Sequence, residues 1–280
     1  MAIQISDAIT AQSRSSGGVF SVDSFDLRQL GNRGSPVFVL DDFRVSSAVF
    51  GPHPHAGFSA VTYVLDDSRG NLRSRDSLGN DVVVGPGGIV WTQAGRGALH
   101  EELPAQNGRE LHGLQFFVDL SAKNKLVEPR VLWLERSQVP EWHGSRGDRV
   151  RVVVGEYGEV SSTLKPIEPF TLLDADLRDN LAFDLYDGRN ALVYVLSGGV
   201  TVPTEGREGR VSEGTVAALS GEGHVQFVAR GPSRVLIFSG LEIRDPMVSN
   251  GQFVMNDQSQ LDEAVVRYRS GGMGVLARAR

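Results

Sequence analysis

The chain contains no cysteine, so disulfides and thiolate metal sites are excluded. Lysine is nearly absent. Only Lys123, Lys125 and Lys165 occur among 28 basic residues, the rest being dispersed arginines, and the formal net charge is −6 with a pI near 5.6. That balance argues against a broad electrostatic footprint for nucleic acid, so no direct DNA or RNA partner is expected. No apolar run approaches the roughly 20 residues needed to span a membrane. The opening Met1-Ala2-Ile3-Gln4-Ile5-Ser6-Asp7 lacks the charged segment and apolar core of a signal peptide. A cytoplasmic protein, free of membrane and working as a monomer, is the expectation.

What is abundant is glycine. Its 33 residues, scattered between short apolar runs, exceed an average usage of about 7% and imply many tight turns. With 280 residues, 40% hydrophobic and 22% charged, the chain is long enough for one large globular domain or two ordinary ones. Strands are predicted at 37–40, 58–65, 72–75, 82–84, 89–92 and 111–120, punctuated by turns such as Asp66-Asp67-Ser68-Arg69-Gly70 and Gly85-Pro86-Gly87-Gly88. Such spacing predicts a β-sandwich or barrel. Residues 1–19 read as a loop or loosely held arm, and 121–140 as an irregular connection between domains. The β-pattern restarts at 150–154 and runs to about 242. One helix is expected over 259–269, with Leu261, Ala264, Val265 and Tyr268 on one face, Ser259 as cap and Gly271 as stop.

The chain repeats itself. Val61-Thr62-Tyr63-Val64-Leu65 resembles Leu192-Val193-Tyr194-Val195-Leu196, and 79–91 resembles 208–217 in its order of strand, glycine turn and strand. The period is far too long for a solenoid, so two duplicated β-domains are predicted, 1–135 and 136–280.

Three of the six histidines fall in two clusters that bracket the first copy, His53-Pro54-His55-Ala56-Gly57 and His100-Glu101-Glu102. Residues two apart on a strand point to the same face. On neighbouring strands, His53, His55, His100 and Glu102 can therefore converge on one metal ion. Each pair alone is weak, since His-x-His is often a solvated turn and alternating polar residues mark any solvent-facing strand. The repeat strengthens the case. A loose alignment sets Asp184, Tyr186, Gln226 and Val228 opposite the four, so the second copy keeps the strands and loses the ligands, and His224 is expected to be unligated. Glu101 should point outward, His112 and His143 read as ordinary polar histidines, and Lys123 and Lys125 as a solvated loop. Trp91, Phe58, Phe116 and Phe117 read as core.

These residues carry a family resemblance. His53-Pro54-His55-Ala56-Gly57-Phe58, Gly85-Pro86-Gly87, Ala94-Gly95-Arg96-Gly97, His100-Glu101-Glu102, Leu111-His112-Gly113-Leu114-Gln115 and Gly251-Gln252-Phe253-Val254-Met255-Asn256 together resemble the pirin family of the cupin superfamily, over nearly the whole chain. The resemblance implies an all-β bicupin, two β-barrel domains of jelly-roll type with a short C-terminal helix. It implies one metal, usually iron, held in the N-terminal domain by His53, His55, His100 and Glu102. Members of the family include quercetin dioxygenases, transcriptional coregulators and proteins that bind metabolic enzymes. The chain departs from the common pattern at Ser59, where an acidic residue is usual, and at Thr92-Gln93.

Three imidazoles and a carboxylate suit Fe(II) first, with Mn, Ni, Cu, Co or Zn able to use the same set, and leave coordination positions open. The leading expectation is a dioxygenase acting with O2 on quercetin or a similar enol-bearing aromatic, with Glu102 both ligand and proton acceptor. A metal- or redox-dependent regulator that binds a protein partner, and a scaffold with an incidental metal, are the alternatives.

Overall fold

A computed structural model describes residues 2–279. The chain forms two units, and neither is a contiguous half of the chain as 1–135 and 136–280 would be. One contains residues up to Gln12, Phe25–Pro36 and Val139–Glu242; the other contains Ser13–Ser24, Val37–Gln138 and the chain from Ile243 onward.

The unit that carries the two histidine clusters has a seven-stranded sheet. Its order is Arg130–Leu134, Ile89–Gln93, Phe58–Val64, Leu111–Asp119, Val37–Val45, Phe20–Ser24 and Gln12–Ser16. A second sheet of four strands runs His53–His55, Ala98–Pro104, Leu72–Asp76 and Asp81–Val84. Val64 and Val90 from the larger sheet pack with Leu72 and Val84 from the smaller one in a shared core. Alternation explains this, because one row of each strand faces the partner sheet and the other faces away.

The second unit repeats the plan. Its larger sheet contains Arg149–Val154, Phe170–Leu177, Ser233–Leu241, Arg189–Ser197 and Thr215–Ser220. Its smaller sheet runs Asn180–Leu185, Gly223–Ala229, Gly199–Thr204 and Arg207–Ser212. Each unit is thus a jelly-roll pair of facing sheets, and among the described residues the hydrogen bonding does not close either pair into a continuous barrel.

The predicted strands are found, some of them longer; 37–40 is the first half of Val37–Val45. Three expectations change. The N-terminal arm is extended rather than loose: Gln4–Ile5 and Ile9–Thr10 pair with Thr215–Ser220, and Ile5 and Ile9 are buried. Ile5, opposite Leu219, faces the core, Ile9, opposite Val216, is buried on the other face, and Ser6 bonds Ala218 through both its amide and its hydroxyl. Within 121–140, Arg130–Leu134 is a strand paired with Ile89–Gln93. The helix spans Gln258–Arg269, and its cap is Asp257, whose carboxylate accepts from Gln260 N at 2.8 Å, rather than Ser259. Its buried residues are Leu261 and Ala264, whereas Tyr268 is exposed.

The helix belongs to the histidine-bearing unit. Leu261, Ala264, Phe253, Met255 and Met273 form a cluster with Ala56 and Leu99, on the outer face of the small sheet. Phe253 bridges Ala56, and Val254 N donates to Ala56 O at 2.9 Å. Gly57 is required here. Its φ is +85°, and a Cβ at this position would lie 1.7 Å from Val254 O. Gly57→Ala should therefore cost about 3 kcal/mol, from left-handed strain plus overpacking. Urea unfolding would read this as a lower midpoint, and proteolysis near residue 250 should become faster.

Candidate metal centre

Strand register brings the histidines together. Ala98–Pro104 runs antiparallel to His53–His55, with His100 directly opposite His53 and Ala98 opposite His55. The three rings form a near-equilateral group with centroids 4.6, 4.7 and 4.8 Å apart. One ligand nitrogen from each lies within 4.8 Å of the others, and Nε2 of His53 and Nε2 of His100 are 3.1 Å apart. Two nitrogens bound to one ion at about 2.1 Å each come to about that separation. Among the described residues this is the single such group.

Tautomer and protonation point the same way. The Gly51 carbonyl lies 2.9 Å from His53 Nδ1, which therefore carries the proton and leaves Nε2 with a free lone pair. His55 and His100 are almost wholly buried, and both ring nitrogens of His55 and Nδ1 of His100 have no hydrogen-bond partner. Burial, helped by the His53 ring, pushes His55 down to about 3 against a weaker opposing pull from the Gln252 carbonyl. Burial and the other two rings hold His100 well below its ordinary value. His55 and His100 are thus neutral at physiological pH and hold buried ring nitrogens without protein partners, as ligands for a cation should.

The surroundings fix the rings. Phe58 and Phe117 lie 5.0 and 5.4 Å from His55 and cover it. Beneath them, Lys125 is fully buried, pairs with Asp119, and donates to Gly57 O at 3.0 Å. Lys125 is therefore no solvated loop residue, because the apolar interior forces its ammonium onto the nearby carboxylate; Lys123 is exposed as expected. Glu101 also corrects the expectation. It does not point outward to solvent but is 1% exposed, bonded to Arg75 at 2.9 Å and to Ala279 N at 3.0 Å, because the C-terminal segment covers that face.

Glu102 lies two residues beyond His100 on the same row, outside the three-histidine group. Its carboxylate accepts from Thr62 Oγ1 at 2.6 Å and from Ser74, the residue opposite it in register. Burial raises it to about 7 against those two hydrogen bonds. Asp76, opposite His100, is committed elsewhere: it accepts from Leu78 N, Asn80 N and Asn80 Nδ2 in its own turn. A cavity of about 430 Å³ opens beside Glu102, walled by Phe20, Phe43, Phe50 and Leu72, with Arg14, Asp41 and Gln115 among its polar members. Sequence reasoning missed Thr62, Ser74, Asp119 and Lys125 as supports, since nothing local ties them to the histidines. Of the remaining histidines, His112 is buried between Asp42 and Asp67, and His143 is exposed beside Glu141.

The second unit shows why it holds no such group. Its inward row on Asn180–Leu185 is Leu181, Phe183 and Leu185, and on Gly223–Ala229 it is Val225 and Phe227. Phe183 faces Val225 as His53 faces His100. The loose sequence alignment is thus one residue out, and a one-residue slip moves every side chain to the other face. His224 is an outward residue, bonded to Asp184 at 2.8 Å and to Gln226 at 2.9 Å.

Residues 4–118 match the family model described as Pirin, and residues 172–274 match that described as Pirin C-terminal cupin domain. The chain belongs to the pirin family. A Pseudomonas aeruginosa protein provisionally named quercetin 2,3-dioxygenase is 33% identical over 87% of this chain and 88% of its own length. A pirin-like protein of Arabidopsis thaliana is 33% identical over 94% of this chain and 84% of its own. A crystal structure titled quercetin 2,3-dioxygenase from Acinetobacter baumannii superposes with a TM-score of 0.85 at 26% identity, covering 99% of this chain and 100% of that one. This pirin is accordingly an all-β bicupin with a short C-terminal helix. Among the described residues no helix is long and apolar enough to cross a membrane.

His100→Ala should lower bound metal from one ion per chain to a trace, read by elemental analysis after dialysis against Ni(II) or Fe(II). Lys125→Met, which strands Asp119 in the interior, should destabilise the protein by about 3–5 kcal/mol in chemical denaturation at pH 7.

Proposed function

We propose that this pirin-family protein is a metal-dependent dioxygenase that opens an enol-bearing aromatic ring of the quercetin type, with iron as its metal. The reading rests on one juxtaposition: three clustered imidazoles, two of them buried with unsatisfied nitrogens, stand beside a carboxylate that shares the His100 row and also walls an aromatic-lined cavity. The relative and the superposing structure named for quercetin dioxygenase support the same chemistry.

His53, His55 and His100 are the proposed ligands, and Glu102 the fourth. A metal bound there supplies the Lewis-acid and one-electron chemistry that reaction with O2 requires. The chain's own residues do the rest. The cavity, about 430 Å³, falls within the ~300–1,000 Å³ typical of small-molecule sites and is mostly apolar. Its phenylalanines can hold a flat aromatic and exclude water. Glu102, raised to about 7 by burial, is matched to neutral pH as the group that takes the proton from a substrate hydroxyl. Thr62 and Ser74 orient that carboxylate and return it to position after proton transfer.

Anaerobic loading with Fe(II), then addition of quercetin and O2, should give ring-opened product with loss of the flavonol absorbance. No product with Fe, Mn, Ni, Cu or Co would rule the activity out. Glu102→Gln should lower turnover by about 10²–10⁴-fold.

The metal should also show the carboxylate. Below pH about 7 an ion must displace the Glu102 proton, whereas His55, at about 3, is already free of protons. Affinity should therefore fall by up to about tenfold per pH unit as pH drops from about 7 to 5, and level off above 7. In Glu102→Gln that slope should vanish. A slope unchanged in the variant would remove Glu102 from the ligand set.

A further inference from the structure

The second unit carries a cavity of its own, about 480 Å³, which the proposed dioxygenase reaction does not use. Its position follows from the alternation of the strands. On Arg189–Ser197 the row facing the core is Ala191, Val193 and Val195, and Arg189 stands next on that row. On Phe170–Leu177 the row Leu177, Ala175, Leu173 ends in Thr171. On Ser233–Leu241 the row Val235, Ile237 ends in Ser239. Three inward rows that are apolar through the core thus end in an arginine, a threonine and a serine. The internal repeat carries Phe58, which covers His55 in the first unit, onto Arg189. Where the metal unit has rings over its imidazoles, the second unit has a guanidinium.

Arg189 is half-buried, and its fixed bonds are all to uncharged groups: Nε to Ser239 Oγ at 3.3 Å, and Nη2 to Ser239 O at 2.7 Å and Thr171 Oγ1 at 3.3 Å. Among the described residues it has no carboxylate within ion-pair distance, and its Nη1 makes no hydrogen bond. Arg151, buried on the opposite face of the same sheet, is by contrast paired with Asp174. Partial burial disfavours the charged form of Arg189 and outweighs the attraction of Tyr186 and Glu156, so its pKa is lowered. Aromatic groups line the same cavity: Trp142 and Tyr157 stand edge to face at 5.2 Å, with Phe183 and Tyr186 beside them. Tyr186 is 61% exposed. The Tyr157 hydroxyl is tied to Ala182 O at 2.9 Å, so that ring is held in place.

We propose that this cavity is a second ligand site, distinct from the metal centre, that binds a planar aromatic monocarboxylate. The carboxylate pairs with the Arg189 guanidinium, which Thr171 and Ser239 hold in place, and the ring lies among Trp142, Tyr157 and Tyr186. A monoanion is selected because Glu156 and Asp184 also line the cavity, Asp184 being bonded to His224, and together they repel a dianion such as phosphate. The site does not depend on the dioxygenase reading, since none of its residues belongs to the histidine cluster.

The test is calorimetric titration of the full chain, stripped of metal, with benzoate, benzamide and inorganic phosphate. Benzoate should bind at one site per chain, and benzamide, of the same shape without the charge, at least tenfold more weakly. Phosphate should not displace benzoate. Arg189→Gln should weaken benzoate at least tenfold with an unchanged thermal transition. Benzamide binding as tightly as benzoate would overturn the proposal on the unaltered protein alone, whatever the folding of the variant. Benzoate affinity unchanged in a folded Arg189→Gln protein, or displacement of benzoate by phosphate, would overturn it as well.

Discussion

The histidine-bearing unit depends on packing three imidazoles against one another, two of them buried. His55 and His100 are desolvated, and the unprotonated form is what makes that tolerable: His55 is held at about 3, and His100 well below its usual range. The register of His53–His55 on Ala98–Pro104 sets the distances. Phe58 and Phe117 keep water off His55, and the Lys125–Asp119 pair grips Gly57 at the end of the loop. Placing a cation among these nitrogens satisfies atoms that the protein leaves without partners. The interior is therefore complementary to an ion that the chain alone does not supply.

The same dependence accounts for the course of the C-terminal segment. A two-sheet sandwich buries the inner face of its small sheet, but the outer face of the histidine strands also carries apolar and charged groups, Leu99 and Glu101. Residues beyond Ile243 cover that face. Phe253 and Met255 meet Ala56, Met273 packs against Gly97, and Ala279 N caps Glu101. The helix is thus part of the support of the histidine loop, and Gly57 and Gly97 are places where only a hydrogen atom fits between loop and segment.

Duplication produced two units of the same two-sheet plan with different interiors. In the histidine-bearing unit the inward rows include His53, His55, His100 and Glu102; in the other, Phe183, Leu185, Val225 and Phe227 fill the corresponding space. An apolar filling closes the ligand position. The neighbouring mouth keeps its polar rim of Arg189, Thr171 and Ser239. One scaffold, with the same alternation of faces, thereby presents an imidazole cluster in one copy and a guanidinium in the other.

Much of this is legible in the amino-acid sequence. His53, His55 and His100 at alternate spacing, the strands between them, the repeat and the helix at 259–269 all rest on local periodicity, which a linear chain displays directly. Other features depend on residues far apart in sequence. Lys125 looks like loop surface until Asp119 and Gly57 close round it, and Glu101 looks solvent-facing until residue 279 arrives. The second-copy alignment slips by one position because strands of similar composition read alike in either register, and only the burial of Phe183 and Val225 tells the faces apart. Which side chains share a face follows from the sequence alone, through the two-residue period of a strand. Which faces are buried, and hence which imidazoles lose their water and protons, is settled by the packing of distant segments, because burial is a property of what lies on a strand rather than of the strand itself.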